Sequence, residues 1–229
     1  MLLPNLITAT SKNDHEQTRP NEVSDKDVIA MLMRYNCPLP FHAVRTRFLG
    51  SIASPVLSMS PLAVVQSLWD GDQPVFETPE AANEFFKVLL SGLWNRLTLH
   101  QKSRDPFRVV WVSAEPTRAS MGRLAMVRQQ ELSGFLEGLF AGNESIDLPE
   151  IAHRGVDALF DLRDMFGSAK NLLDDPSKPA ALNDLKGLLK NFQHMSLKAE
   201  TEINRTVHDC QRARSRPSNF IASDNRTLH

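Results

Sequence analysis

The chain has 229 residues, of which 41% are hydrophobic and 23% charged, and its formal net charge is −1. This is the composition of a folded globular protein with room for one sizeable core or two small ones, and it carries no apolar run near the ~20 residues that span a bilayer. The start, MLLPNLITATSKNDHEQTRP, lacks the basic and apolar regions of a secretory signal, and the two cysteines, Cys37 and Cys210, make neither a disulfide framework nor a zinc knuckle. The expected setting is the reducing cytoplasm, with no membrane contact.

Residues 1–25 are polar, contain Pro4 and Pro20 and have no periodic pattern, so they read as a disordered tail. Ser24 or Asp25 can cap a short helix with Val28, Ile29, Leu32 and Met33 on one side, and Cys37-Pro38-Leu39-Pro40 ends it. Residues 41–52 form a second helix, with Val44, Phe48 and Ile52 at four-residue spacing. Ser60-Pro61 gives an N-cap and a proline at the first helical position, opening a short helix to Trp69 before the turn Asp70-Gly71-Asp72. Thr78-Pro79 repeats that start. The pattern then runs to about Gln101 with Ala82, Phe85, Phe86, Leu89, Leu93 and Leu97 on one stripe, widened by Val88, Leu90, Trp94 and Leu99. A helix apolar on most sides is expected at the centre of the fold.

Residues 107–112 (FRVVWV) are rich in β-branched and aromatic side chains and suggest one short strand, which does not make a sheet class. A long helix follows residues 116–120 and ends near Ala141 at Gly142-Asn143. Asp147 can cap the next, with Ile151, Ala158, Leu159, Leu162 and Phe166 facing inward, and residues 174–179 form the clearest linker. Beyond it Leu182, Leu185, Leu189, Phe192, Ala199, Ile203 and Cys210 alternate three- and four-residue steps. This amphipathic helix has a coiled-coil seam that can pack back on the domain or pair two chains as a homo-dimer. The expected fold is therefore all-α with at most one short strand or hairpin. It comprises a disordered tail at 1–25, a helical domain at 26–173, a C-terminal amphipathic helix at 180–216 and a disordered tail at 217–229.

Three glycines, Gly92, Gly134 and Gly138, sit in helical segments beside bulky aromatics. Glycine costs a helix interior ~1 kcal/mol relative to alanine, so another backbone or a ligand is expected to approach closely there. Charge is also divided along the chain. Residues 129–175 hold ten Asp or Glu against Arg154, Arg163 and Lys170, a local balance of −7, whereas residues 205–216 carry +3 from Arg205, Arg212, Arg214 and Arg216 against Asp209. An acidic surface attracts a basic partner and a basic end approaches phosphates, while solvated helix faces are the stronger reading of either run.

No motif for nucleophilic, metal or phosphate chemistry is present, and the seven histidines have no short paired spacing that would fix a metal on one helix face. No catalytic residue, metal or cofactor is assigned. Trp69, Trp94 and Phe135 are candidates for a protein-binding groove, because aromatics are enriched at binding hot spots, with core packing the favoured reading for most aromatics in such apolar periodic segments. Asn95 and Arg96 would form a polar rim beside Trp94, and Glu131 joins them as a candidate polar contact. Arg205, Arg212, Arg214 and Arg216 are the candidates for contact with nucleic acid.

The order of Phe48-Leu49, Ser54-Pro55, Ser60-Pro61, Leu68-Trp69-Asp70-Gly71, Pro74-Val75-Phe76, Glu80-Ala81, Trp94-Asn95 and Gly134-Phe135-Leu136-Glu137-Gly138 resembles the YecA/YgfB-like family of largely uncharacterised bacterial helical proteins. The resemblance covers residues 47–142. It departs from the family where Thr46-Arg47 precedes Phe48 and around Glu131-Leu132, and Cys210 stands alone where longer members add a cysteine-rich zinc tail. What it implies is an all-helical adaptor or regulator rather than an enzyme, without zinc. The function expected is therefore non-enzymatic binding of another protein, such as a transcription regulator, in the bacterial cytoplasm. The alternatives are nucleic-acid association through the basic end and an enzyme whose helical active site draws on Glu131, Asn95 or His100.

Overall fold

Capping chemistry sets where the helices begin. The computed structural model describes residues 23–56, 60–70, 74–102 and 104–215; residues 1–22 of the tail expected at 1–25, the tail expected at 217–229, and Gly71 and Asp72 of the turn lie outside the described residues, whereas Ser24 and Asp25 belong to the start of the first helix rather than to a tail. Ser24 opens α1 (Asp25–Arg34) with a reciprocal capping box to Asp27. Pro40 precedes α2 (Phe41–Ala53). Ser60 and Thr78, each followed by proline, cap α3 (Pro61–Gln66) and α4 (Pro79–Phe86). From Pro79 the chain stays helical to Gln101 through a π-helical stretch (Lys87–Trp94), α5 (Asn95–Thr98) and a closing 3₁₀ turn (Leu99–Gln101). Thr117 caps α6 (Arg118–Phe140), which ends at a left-handed Ala141. The long helices α7 (Glu150–Asp174) and α8 (Leu182–Ser215) complete an all-α architecture with no strand among the described residues.

The segment 79–101 is not the centre of the molecule. That place belongs to α6, which packs on α2, α7 and α8. Twelve residues of α6 are buried, among them Gly122, Arg128, Glu131, Gly134 and Gly138, which do not read as apolar in sequence. The 79–101 segment buries Phe85, Val88, Leu89, Leu93 and Leu97 but leaves Leu99 exposed and Leu90 and Trp94 half-buried. An edge-to-face cluster of Tyr35, Phe76, Phe85 and Phe86 fills the space towards α1, and Trp69 donates its indole N–H to the Tyr35 carbonyl at 2.8 Å.

The α2–α6 crossing is the closest in the fold. Gly50 of α2 lies against the Phe135 carbonyl, and Gly134 and Gly138 of α6 lie against the carbonyls of Ala43 and Arg47. Backbone meets backbone there, whereas Gly92 faces the Val23 side chain.

The start of α7 differs from expectation. Pro149, not Asp147, occupies the N-cap of α7, and with that start Ile151 points to solvent while Ala152 takes the inward position. Helix α8 is continuous, and its seam residues Leu185, Phe192, Ala199, Ile203 and Cys210 are buried against the chain's own helices, chiefly α7 with α2 and α6. Burial pushes the Cys210 thiol up to about 11, which leaves it unreactive at neutral pH. No helix among the described residues is long and apolar enough to cross a membrane.

Candidate functional site

The acidic balance of residues 129–175 becomes a surface on α7 and the loop before it. Glu150, Asp157, Asp161 and Asp164 are exposed and follow steps of seven, four and three residues, which keeps them on one side of the helix. Asp164 is held by its neighbour Arg163 at 2.8 Å. Glu144, Asp147, Glu150, Asp157 and Asp161 have no ion-pair partner among the described residues. Beside this face lies a cavity of about 520 Å³ floored by Leu136, Phe140 and Phe160, with Asp70 and Glu144 on its edge. The two rings meet edge to face at 5.7 Å. The Arg163 guanidinium lies 4.9 Å from the Phe160 centroid, so this aromatic surface already receives a cation.

A second feature is built from the FRVVWV segment. Residues 107–114 run between helices without a strand partner, and side chains take over the pairing. Asn204 of α8 brackets Phe107, accepting its N–H at 2.7 Å and donating to its carbonyl at 2.9 Å. Glu200, one turn earlier, accepts the Val109 N–H at 3.2 Å and pairs with Arg108 at 2.8 Å. On the opposite edge the Arg108 carbonyl accepts from Arg45 of α2 at 2.9 Å. Val110 donates its N–H to Glu131 at 2.8 Å, and its carbonyl accepts from Arg128 at 2.9 Å. Odd residues therefore face α8 and even residues face α2 and α6, as successive residues of an extended chain do.

Glu131 and Arg128 are themselves a buried ion pair at 2.5 Å, 0% and 5% exposed. Burial pushes the Glu131 carboxyl above its ordinary range, opposed by Arg128 and the Val110 N–H. The Arg128 Nε also donates to Ser196 at 3.0 Å, tying α6 to α8. Asn204→Ala is expected to cost about 1–3 kcal/mol, because two Phe107 main-chain groups lose their partner. Urea unfolding measures this, and an unchanged midpoint would show that solvent replaces both bonds without loss.

The six residues proposed for protein binding are placed differently from one another. Phe135 and Glu131 are fully buried and Trp69 nearly so, which leaves these three without a surface for a partner. Trp94 is half-buried edge to face on Phe48 at 5.4 Å. Asn95 is exposed, while Arg96 ties down the start of α1 by donating to the Val23 carbonyl at 3.2 Å and pairing with Asp25. Exposed Trp111, absent from that set, is the side chain with the largest open apolar surface beside the clamp. Its signal in the sequence was a tryptophan at an outward position of an alternating segment.

The basic end is largely engaged. Arg205 lies 3.9 Å from Glu202 and 3.7 Å from Asp209, Arg212 pairs with Asp209, and Arg214 donates to the Ile52 carbonyl at 2.9 Å. Arg216 lies outside the described residues. Glu202 and Asp209 are buried, and Glu202 and Thr206 lie directly over Gly155 of α7. Among the described residues no group of three or more His, Cys, Asp or Glu is placed to hold a metal ion. Compared with known proteins, the chain matches no family model, no curated protein and no solved structure.

Proposed function

We propose that this protein is a non-enzymatic helical adaptor or regulator of the bacterial cytoplasm that binds a basic segment of another protein on the acidic face of α7. The observation that carries the reading is the set of exposed carboxylates without ion-pair partners among the described residues, Glu144, Asp147, Glu150, Asp157 and Asp161, of which Glu144 lines the Phe140 and Phe160 cavity. Exposed Arg154 stands in the same stripe of α7, but the unpaired charge of the face is negative on balance; such an excess steers a partner of the opposite sign, and an adjoining apolar floor gives that partner something to bury. A transcription regulator fits this description through its nucleic-acid-binding surface, for which the adaptor would compete with nucleic acid. The resemblance of residues 47–142 to the YecA/YgfB-like family supports the same class of function.

The test is affinity purification from the native host after nuclease treatment, using the intact tagged protein and its Asp157→Lys/Asp161→Lys variant. A specific protein should be retained by the wild type, and its association should slow roughly tenfold or more in the variant and at high salt. Capture that ignores both the charge reversal and salt would remove the acidic face from the account. Recovery of nucleic acid alone would point to the arginine-rich end.

A further inference from the structure

The clamp on the extended segment stops halfway. Two residues of an extended chain advance about 6.6 Å and one α-helical turn about 5.4 Å, so alternate residues of the segment keep step with successive turns of α8. Phe107 meets Asn204 and Val109 meets Glu200. The next turn presents Ser196 to Trp111, but its hydroxyl is used by Arg128 and by the Phe192 carbonyl. From residue 111 to 114 no main-chain N–H or carbonyl has a hydrogen-bond partner among the described residues. Trp111 and Ser113 both line the space between the segment and α8.

That space is a groove of about 790 Å³, walled by Val109, Leu189 and Leu197 and rimmed by His194. A second cavity of about 360 Å³ shares Ser113 and reaches Arg123, so the opening follows the chain as far as Glu115. Trp111 is 86% exposed and Leu197 58%. Exposure alternates from residue 111 to 115, with Trp111, Ser113 and Glu115 outward and Val112 and Ala114 half-buried. The ionic groups on the rim carry a bias. Arg108 and Glu200 satisfy each other, as do Arg128 and Glu131. Arg123, which lines the second cavity, is exposed and has no ion-pair partner among the described residues; nor have exposed Lys190 and Lys186, which stand one and two turns before Gln193 on the α8 stripe it shares with Leu197, beyond the residues that line the groove. Glu115 at the far end is the opposing charge.

We infer that residues 111–114 are a second docking edge, which takes an extended acidic peptide as an added strand paired with the main chain of Trp111 and Ser113 in the groove against α8. Repeating donors and acceptors at strand spacing are matched by another polypeptide backbone. Trp111 and Leu197 cover its apolar side chains, and Lys186, Lys190 and Arg123 select acidic residues at alternate positions. This site is separate from the acidic face of α7 and takes the opposite charge.

The probe is a capped ten-residue peptide of alternating Val and Glu, added to the intact protein, with hydrogen exchange followed at the Trp111 and Ser113 amides. At saturation these amides should exchange at least about tenfold more slowly, while α7 amides are unchanged. A counterpart with Lys for Glu, and one with alternate amides N-methylated, should give no protection. Ser113→Pro removes a donor that has no partner in the free protein, so it should leave thermal unfolding unchanged and abolish protection by the Val–Glu peptide. The Asp157→Lys/Asp161→Lys variant should bind the peptide as the wild type does, which keeps this test independent of the α7 reading. No protection, protection by the Lys or N-methylated peptides, or full binding by Ser113→Pro would each overturn the proposal.

Discussion

Replacing Gly138 with alanine is expected to lower stability by about 3 kcal/mol or more, the upper end of what overpacking costs. The new Cβ would stand 2.0 Å from the Arg47 carbonyl oxygen and 2.9 Å from the Ser51 nitrogen. Both obstacles are backbone atoms of α2, so no rotamer change relieves them and the two helices must separate. Separation also loosens the matching contact from the other side, where Gly50 meets the Phe135 carbonyl. The intrinsic helix preference for alanine returns only ~1 kcal/mol. For a chain of this size the net loss corresponds to a fall in melting temperature of roughly 6–12 °C. Gly187→Ala supplies the control, because a Cβ there meets nothing within 4 Å. It should stabilise by about 0.5–1 kcal/mol through helix propensity. Thermal unfolding of the two variants should therefore move in opposite directions, and a Gly138→Ala protein as stable as the wild type would dismiss the close crossing.

That crossing was half visible in the sequence. The Gly134 and Gly138 spacing announces a tight approach on α6, but its partner could not be read, since Gly50 sits in an apolar run with no such spacing. Caps were more legible because they depend on residues a few positions apart. Ser24, Ser60-Pro61 and Thr78-Pro79 all begin helices where local hydrogen bonding says they should. The centre of the fold was not legible. The 79–101 segment looked central because it is apolar nearly all round, whereas α6 is central while burying Arg128 and Glu131, whose partners are set by tertiary contacts. FRVVWV carries strand propensity and is held in strand-like alternation, yet its partners are Asn204, Glu200, Glu131 and Arg128 rather than a second strand. Propensity reports the backbone preference of a segment and nothing about what satisfies its hydrogen bonds. The acidic surface was countable from residues 129–175, but its face depended on where α7 begins. A start at Glu150 placed Ile151 outward and set the register of Asp157 and Asp161.

The Arg128–Glu131 pair gives the other large effect, and pH separates its two halves. Breaking a buried pair by removing one partner typically costs about 3–5 kcal/mol, because the remaining charge stays desolvated. Arg128→Met leaves Glu131 without its counter-ion and the Val110 carbonyl without its donor. A buried carboxyl can escape part of that penalty by taking a proton. In the wild type, burial already pushes Glu131 upward while Arg128 and the Val110 N–H hold it back, so removal of Arg128 raises it further. A carboxyl raised in the folded state keeps a proton that the unfolded chain has released. Its contribution is fully present below the unfolded value and is lost as pH rises through the folded one. The Arg128→Met protein should therefore be least impaired near pH 5 and most impaired near pH 8, relative to wild type at each pH. Glu131→Gln behaves otherwise. The glutamine oxygen can still accept the Val110 N–H, but Arg128 remains a buried cation that no accessible pH neutralises. Its deficit should hold across the same range. Urea unfolding of both variants at pH 5 and pH 8 decides the matter. Parallel pH dependence in the two would mean that Glu131 is not charged against Arg128 and that the pair acts only as a hydrogen-bonded bracket for Val110.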